Sequence, residues 1–158
     1  MKTFSSAVLL LAGLAAATPV QQTRQSVGPY DIAGFTAAKT HNSGYCRFDF
    51  DVSAPGLEGD VHCSAYLDAG FSGATWLALV YEGAGNCNND AVTWTFFQSS
   101  AEGSGASLNV TVNGVKGLYA IPPEDISVNL NDEENPFDND VAYSGPKEFQ
   151  ITEFEETE

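Results

Sequence analysis

Three cysteines, Cys46, Cys63 and Cys87, two histidines, His41 and His62, and twenty-one carboxylates are the groups of this 158-residue chain with chemistry to offer. Thiols of an oxidising compartment pair as disulfides, and an odd number leaves one over. Cys63 with Cys87 would close a loop of roughly 25 residues, worth about 3–3.5 kcal/mol in the chain-entropy model. Cys46 and Cys63 face the same way on adjoining strands, so their pairing stays open as well. His62 falls on the outward face of its strand and His41 in a turn, where histidines are ordinarily structural. No Gly-x-Ser-x-Gly elbow, His-Glu-x-x-His or Cys-x-x-Cys occurs, so neither a serine hydrolase nor a zinc site is spelled out. A glycosidase needs two carboxylates at a set separation, and so many acids single out no such pair.

The loop carrying Asp132, Glu133, Glu134, Asp138 and Asp140 has the hard oxygens that Ca²⁺ prefers. It lacks the spaced ladder of an EF-hand, and a solvated loop is expected. No catalytic residue, cofactor site or metal site is assigned. Asn109-Val110-Thr111 is the single N-glycosylation sequon, with Asn109 outward on a strand. Trp76, Trp94 and the phenylalanines are expected in the core, with a ligand pocket as the alternative.

Elements with a period of two position these groups. Tyr30 to Ala38 makes a strand broken at Gly34. In "YCRFDFDV", Cys46, Phe48, Phe50 and Val52 share one face and Arg47, Asp49 and Asp51 the other. "VHCSAYL" puts Val61, Cys63, Ala65 and Leu67 on one side. Ala74 to Glu82 is read as a strand from its Trp, Thr, Val and Tyr content, with a short helix as the alternative. Ala91 to Gln98 is a strand with Val92, Trp94 and Phe96 inward. Asn113-Gly114 joins two further runs in a type I′ hairpin, with Leu108, Val110 and Val112 inward. Pro122-Pro123 ends the second run. Ile126, Val128 and Leu130 alternate in the next, and "KEFQITEF" is a last strand with Phe149 and Ile151 inward. About eight strands with short turns give an all-β, single-domain antiparallel β-sandwich or β-barrel.

The first residues set the compartment. Lys2 precedes the apolar run Ala7 to Ala17, and Ala15 and Ala17 fit a small-x-small cleavage site. Residues 1–17 are read as a signal peptide and 18–28 as a flexible segment that includes Arg24, a processing site if this is a pro-segment. The β-domain spans 29–154, and 155–158 form an acidic tail. A secreted, extracellular protein is expected, since no run reaches the roughly 20 apolar residues of a membrane span. Net charge is −15, and loss of Lys2 makes it about −16. Nucleic acid and anionic membranes are therefore not expected partners.

The order "YDIAGFTAA…SGYCRFDFDV", "VHCSA", "C…AVTWTFFQ", "IPPEDI" and "YSGPKEFQI" resembles small secreted fungal β-proteins of the Alternaria major-allergen-like type, a group that includes hypersensitive-response-inducing proteins. The resemblance covers about residues 29 to 152. It implies a compact β-sandwich or barrel, an extracellular location, no established catalytic residues, and an elicitor or effector role toward a host extracellular protein or surface component. Members often carry a further cysteine shortly before Cys46, where this chain has Ala37 and Ala38. By resemblance, then, Cys63 pairs with Cys87 and Cys46 is left alone. A buried, unpaired Cys46 implies a monomer, and an exposed Cys46 implies a disulfide-linked dimer. A ligand-binding or enzyme-inhibitor module is the second functional expectation, and a small hydrolase using two acids the third.

Overall fold

The computed structural model describes residues 28–130, 135 and 139–155. The signal peptide, Arg24, Asp132, Glu133, Glu134 and Asp138 lie outside the described residues, as does most of the acidic tail. Two antiparallel sheets face each other in a sandwich-like arrangement. The first contains β1 (Tyr30–Lys39), β2 (Tyr45–Ser53), β3 (Val61–Asp68), β4 (Asn86–Cys87), β8 (Ile126–Leu130), β9 (Asn139–Tyr143) and β10 (Phe149–Ile151). Its order is β4-β3-β2-β1-β9-β8, and β10 also pairs with β1. The second contains β5 (Val92–Gln98), β6 (Ala106–Val112), β7 (Val115–Ile121) and β11 (Glu153–Glu155), in the order β11-β7-β6-β5.

Alternation builds both sheets. In β2, Cys46, Phe48, Phe50 and Val52 are all buried, while the intervening side chains reach water to varying degrees. Trp94 and Phe96 of β5 come down on them from the other sheet, with ring centroids 5.1 Å from Phe50 to Trp94 and 5.0 Å from Phe48 to Phe96. Burying such rings is the main favourable term in a core of this kind. In β1 the register with β2 shifts between Ala33 and Thr36, where Gly34 sits at φ 65°. That bulge brings Phe35, Ala37 and Lys39 to the core side. At the β6–β7 turn, Asn113 and Gly114 have φ of 50° and 83°, as a type I′ hairpin requires.

Three sequence expectations need correction. Ala74 to Glu82 is neither strand nor helix; among the described residues its only ladder contact is the bridge Val80–Phe96. Ala74, Leu77, Ala78 and Val80 are nevertheless buried. Val80 bonds the Phe96 backbone, and other backbone groups of this stretch and of the two residues before it bond side chains of distant strands. Gln98 Oε1 accepts from Leu77 N–H at 2.9 Å, and Cys46 Sγ accepts from Ala78 N–H at 3.3 Å. Lys39 Nζ donates to the carbonyls of Ser72 and Ala74, and Asn139 Nδ2 to that of Gly73. Buried peptide groups need partners, and a ladder is only one way to supply them. The second correction is β9, which starts in the Asn-Asp pair read as acidic loop. The third concerns the last strand, which changes sheets at Thr152: β10 pairs with β1 and β11 with β7.

Candidate functional site

Cys63 and Cys87 occupy paired positions on β3 and β4 and form a disulfide. β4 is only two residues long, and Asn88 prolongs the pairing by exchanging hydrogen bonds with the His62 backbone. Cys46 carries a free thiol and is 0% exposed. An inter-chain bond needs an exposed sulfur, and this position offers none.

Burial pushes the Cys46 thiol pKa up, against the lowering effect of the Ala78 N–H and of Lys39. A raised folded value means that the stabilisation is complete below the ordinary thiol pKa of about 8.5 and is lost as pH rises through the folded value. Burial also raises Tyr30 and Tyr143, which act at still higher pH. We therefore expect urea stability to decline above about pH 9, and Cys46→Ala to flatten the first part of that decline. The native thiol should also resist a disulfide reagent that titrates it fully in denaturant. An identical alkaline decline in Cys46→Ala would contradict this assignment.

His62 lies on the outer face of the seven-stranded sheet. Its Nδ1 is 2.8 Å from Asp51 Oδ1, and its Nε2 is 3.6 Å from Asp49 Oδ2. All three side chains are well exposed, so they act in a high dielectric, where charges have little power over a reacting group. His41 contacts Asp140 at 3.3 Å in the turn after β1. A hollow of about 340 Å³ where β10 meets β1 includes Asp31 and Glu148 in its lining. Both acids are exposed, whereas a general acid depends on burial to hold its proton. Among the described residues, no group of three or more His, Cys, Asp or Glu side chains could hold a metal ion.

Trp94 is sealed between Phe48 and Phe50 in the core. Trp76 pairs instead with the half-exposed Phe71, and among the described residues no ring contact joins the two tryptophans.

The outer face of the four-stranded sheet concentrates features that recognition could use. Thr93 lies opposite Thr111, which lies opposite Lys116; Thr95 lies opposite Asn109. With Glu82, these side chains line a hollow of about 190 Å³. Asn109 Nδ2 donates to Thr95 Oγ1 at 3.1 Å, and its Oδ1 is buried without a partner. The sequon therefore sits inside the hollow, on a strand paired on both sides. Beside it, Val80 and Phe96 exchange both backbone hydrogen bonds and point into the core. Their neighbours Leu79, Tyr81 and Phe97 must then point outward, and they are 53, 61 and 57% exposed.

The outward direction of Phe97 and of the three threonines was legible from the alternation of their strands. The positions of Leu79, Tyr81 and Glu82 were not, because only the Val80–Phe96 bridge brings them beside β5. No helix among the described residues is long and apolar enough to cross a membrane. No family model, curated protein or solved structure matches the chain.

Proposed function

We propose that this chain is a secreted, non-enzymatic fungal protein of the elicitor or effector kind. It would act outside the cell by recognising a host extracellular protein or surface component through the outer face of its four-stranded sheet. The observation that carries this proposal is the group of Leu79, Tyr81 and Phe97, more than half exposed, beside a field of hydroxyl and amide side chains. Apolar side chains grouped in water and rimmed by polar ones are the usual mark of an interaction surface. The leader pattern at 1–17 and the disulfide both fit an oxidising, extracellular setting. The resemblance to hypersensitive-response-inducing proteins supplies the host context.

The test is leaf infiltration of the purified protein across several plant hosts, beside Tyr81→Ala/Phe97→Ala. We expect necrosis or immune signalling from the parent protein and a strongly reduced response to the double variant at unchanged thermal stability. Silence of the parent protein in every host would refute a host-directed role. An undiminished response to the variant would move recognition to another face.

A further inference from the structure

Resting on that surface, we infer that the component recognised is a neutral, extended polysaccharide. A sugar ring presents two chemistries: faces of C–H groups that pack on aromatic rings, and a rim of hydroxyls that both donate and accept hydrogen bonds. The outer face of the four-stranded sheet offers both side by side. Thr93, Thr95 and Thr111 bring three hydroxyls, each able to donate and to accept, and the Asn109 amide beside them donates to Thr95 Oγ1. Tyr81 and Phe97 stand beside Thr95 with their rings in water. The hollow of about 190 Å³ has room for one sugar ring, and the paired strands β5 and β6 continue past it to Phe97 and Ser107, where a neighbouring unit of a chain can lie.

Charge selects among glycans. The hollow holds one carboxylate, Glu82, and one ammonium, Lys116, which already bonds Glu155 at 3.0 Å. No excess of positive charge is present there to hold a uronate or a sulfate. The chain's −15 repels polyanions as a whole. A protein partner would call for a broader apolar centre than the three residues Leu79, Tyr81 and Phe97 at one end of a hydroxyl-rich face. An uncharged polyol fits what the face presents.

The test is affinity gel electrophoresis of the disulfide-bonded mature protein in gels containing hydroxyethyl cellulose, laminarin or the polyanion polygalacturonate. The protein is produced in an oxidising bacterial host so that Asn109 carries no glycan. We expect retardation by at least one neutral polymer and none by polygalacturonate. Tyr81→Ala/Phe97→Ala should weaken the retardation about tenfold or more, as loss of ring anchors does in other interfaces. Thr95→Val, which nearly keeps the side-chain volume, should weaken it as well. Absence of retardation in both neutral gels, or retardation indifferent to the ring variant, overturns the inference. If the neutral polymers fail while infiltration still depends on Tyr81 and Phe97, the recognition surface stands and its ligand is not a glycan. If both experiments fail, the surface itself is refuted.

Discussion

Removing the Cys63–Cys87 disulfide is expected to lower stability by roughly 3–3.5 kcal/mol. The bridge spans 24 positions, and most of the segment between its ends has no strand of its own. Without the clip, the unfolded chain regains the freedom of a loop of that length. The native state also loses an anchor, because β4 contributes only the pairs Cys63–Cys87 and Ser64–Asn86. The measurement is urea unfolding of Cys63→Ala/Cys87→Ala against the parent protein. Hydrogen exchange should localise the effect at the amides of His62 and Asn88, which bond each other's residues across this seam. A domain of this size has a margin of only about 5–15 kcal/mol, so the loss is a large share of it. A change below about 1 kcal/mol would show that the clip constrains little in the unfolded chain.

Lys39→Met should cost about 3 kcal/mol or more, unusual for replacing a charged side chain by an apolar one of similar shape. Lys39 is 6% exposed, and its ammonium donates to the carbonyls of Ser72 at 2.7 Å and Ala74 at 3.2 Å. Methionine keeps the apolar stem and leaves those two carbonyls without a donor. An abandoned buried acceptor costs about 1–3 kcal/mol. The damage should spread along the segment that Lys39 holds, so faster exchange is expected at the Leu77 and Ala78 amides. Those amides bond Gln98 and Cys46 rather than a neighbouring strand. A neutral Lys39→Met would mean that relief from burying the ammonium offsets both lost bonds, as happens in some buried ionic clusters.

The strands that alternate cleanly could be read directly. In β2, β3 and β5 every second residue is apolar over most of the run, and those residues are the buried ones. The Asn113-Gly114 hairpin was equally plain, since two adjacent positive-φ positions admit few residue types. The segment from Ala74 to Glu82 misled because its composition suits a strand, while its hydrogen-bond partners lie on β1, β2 and β5. Strand β8 shows the opposite limit. Its alternation is regular, yet Val128 and Leu130 are 45 and 62% exposed because it is the sheet's edge strand.

Residue order alone was enough for the all-β class, the inward set of the main strands and the outward threonines, since these follow from a local backbone repeat of two. It also left Cys46 facing inward beside Phe48, as a strand must. Tertiary structure decided what no local repeat can encode. It chose Cys87 as the partner of Cys63 by laying β4 against β3. It made Lys39, Gln98, Asn139 and Cys46 into the supports of an irregular buried segment. Through the Val80–Phe96 bridge it also set Tyr81 beside Thr95, assembling the proposed recognition face from residues whose proximity depends on how the whole chain packs.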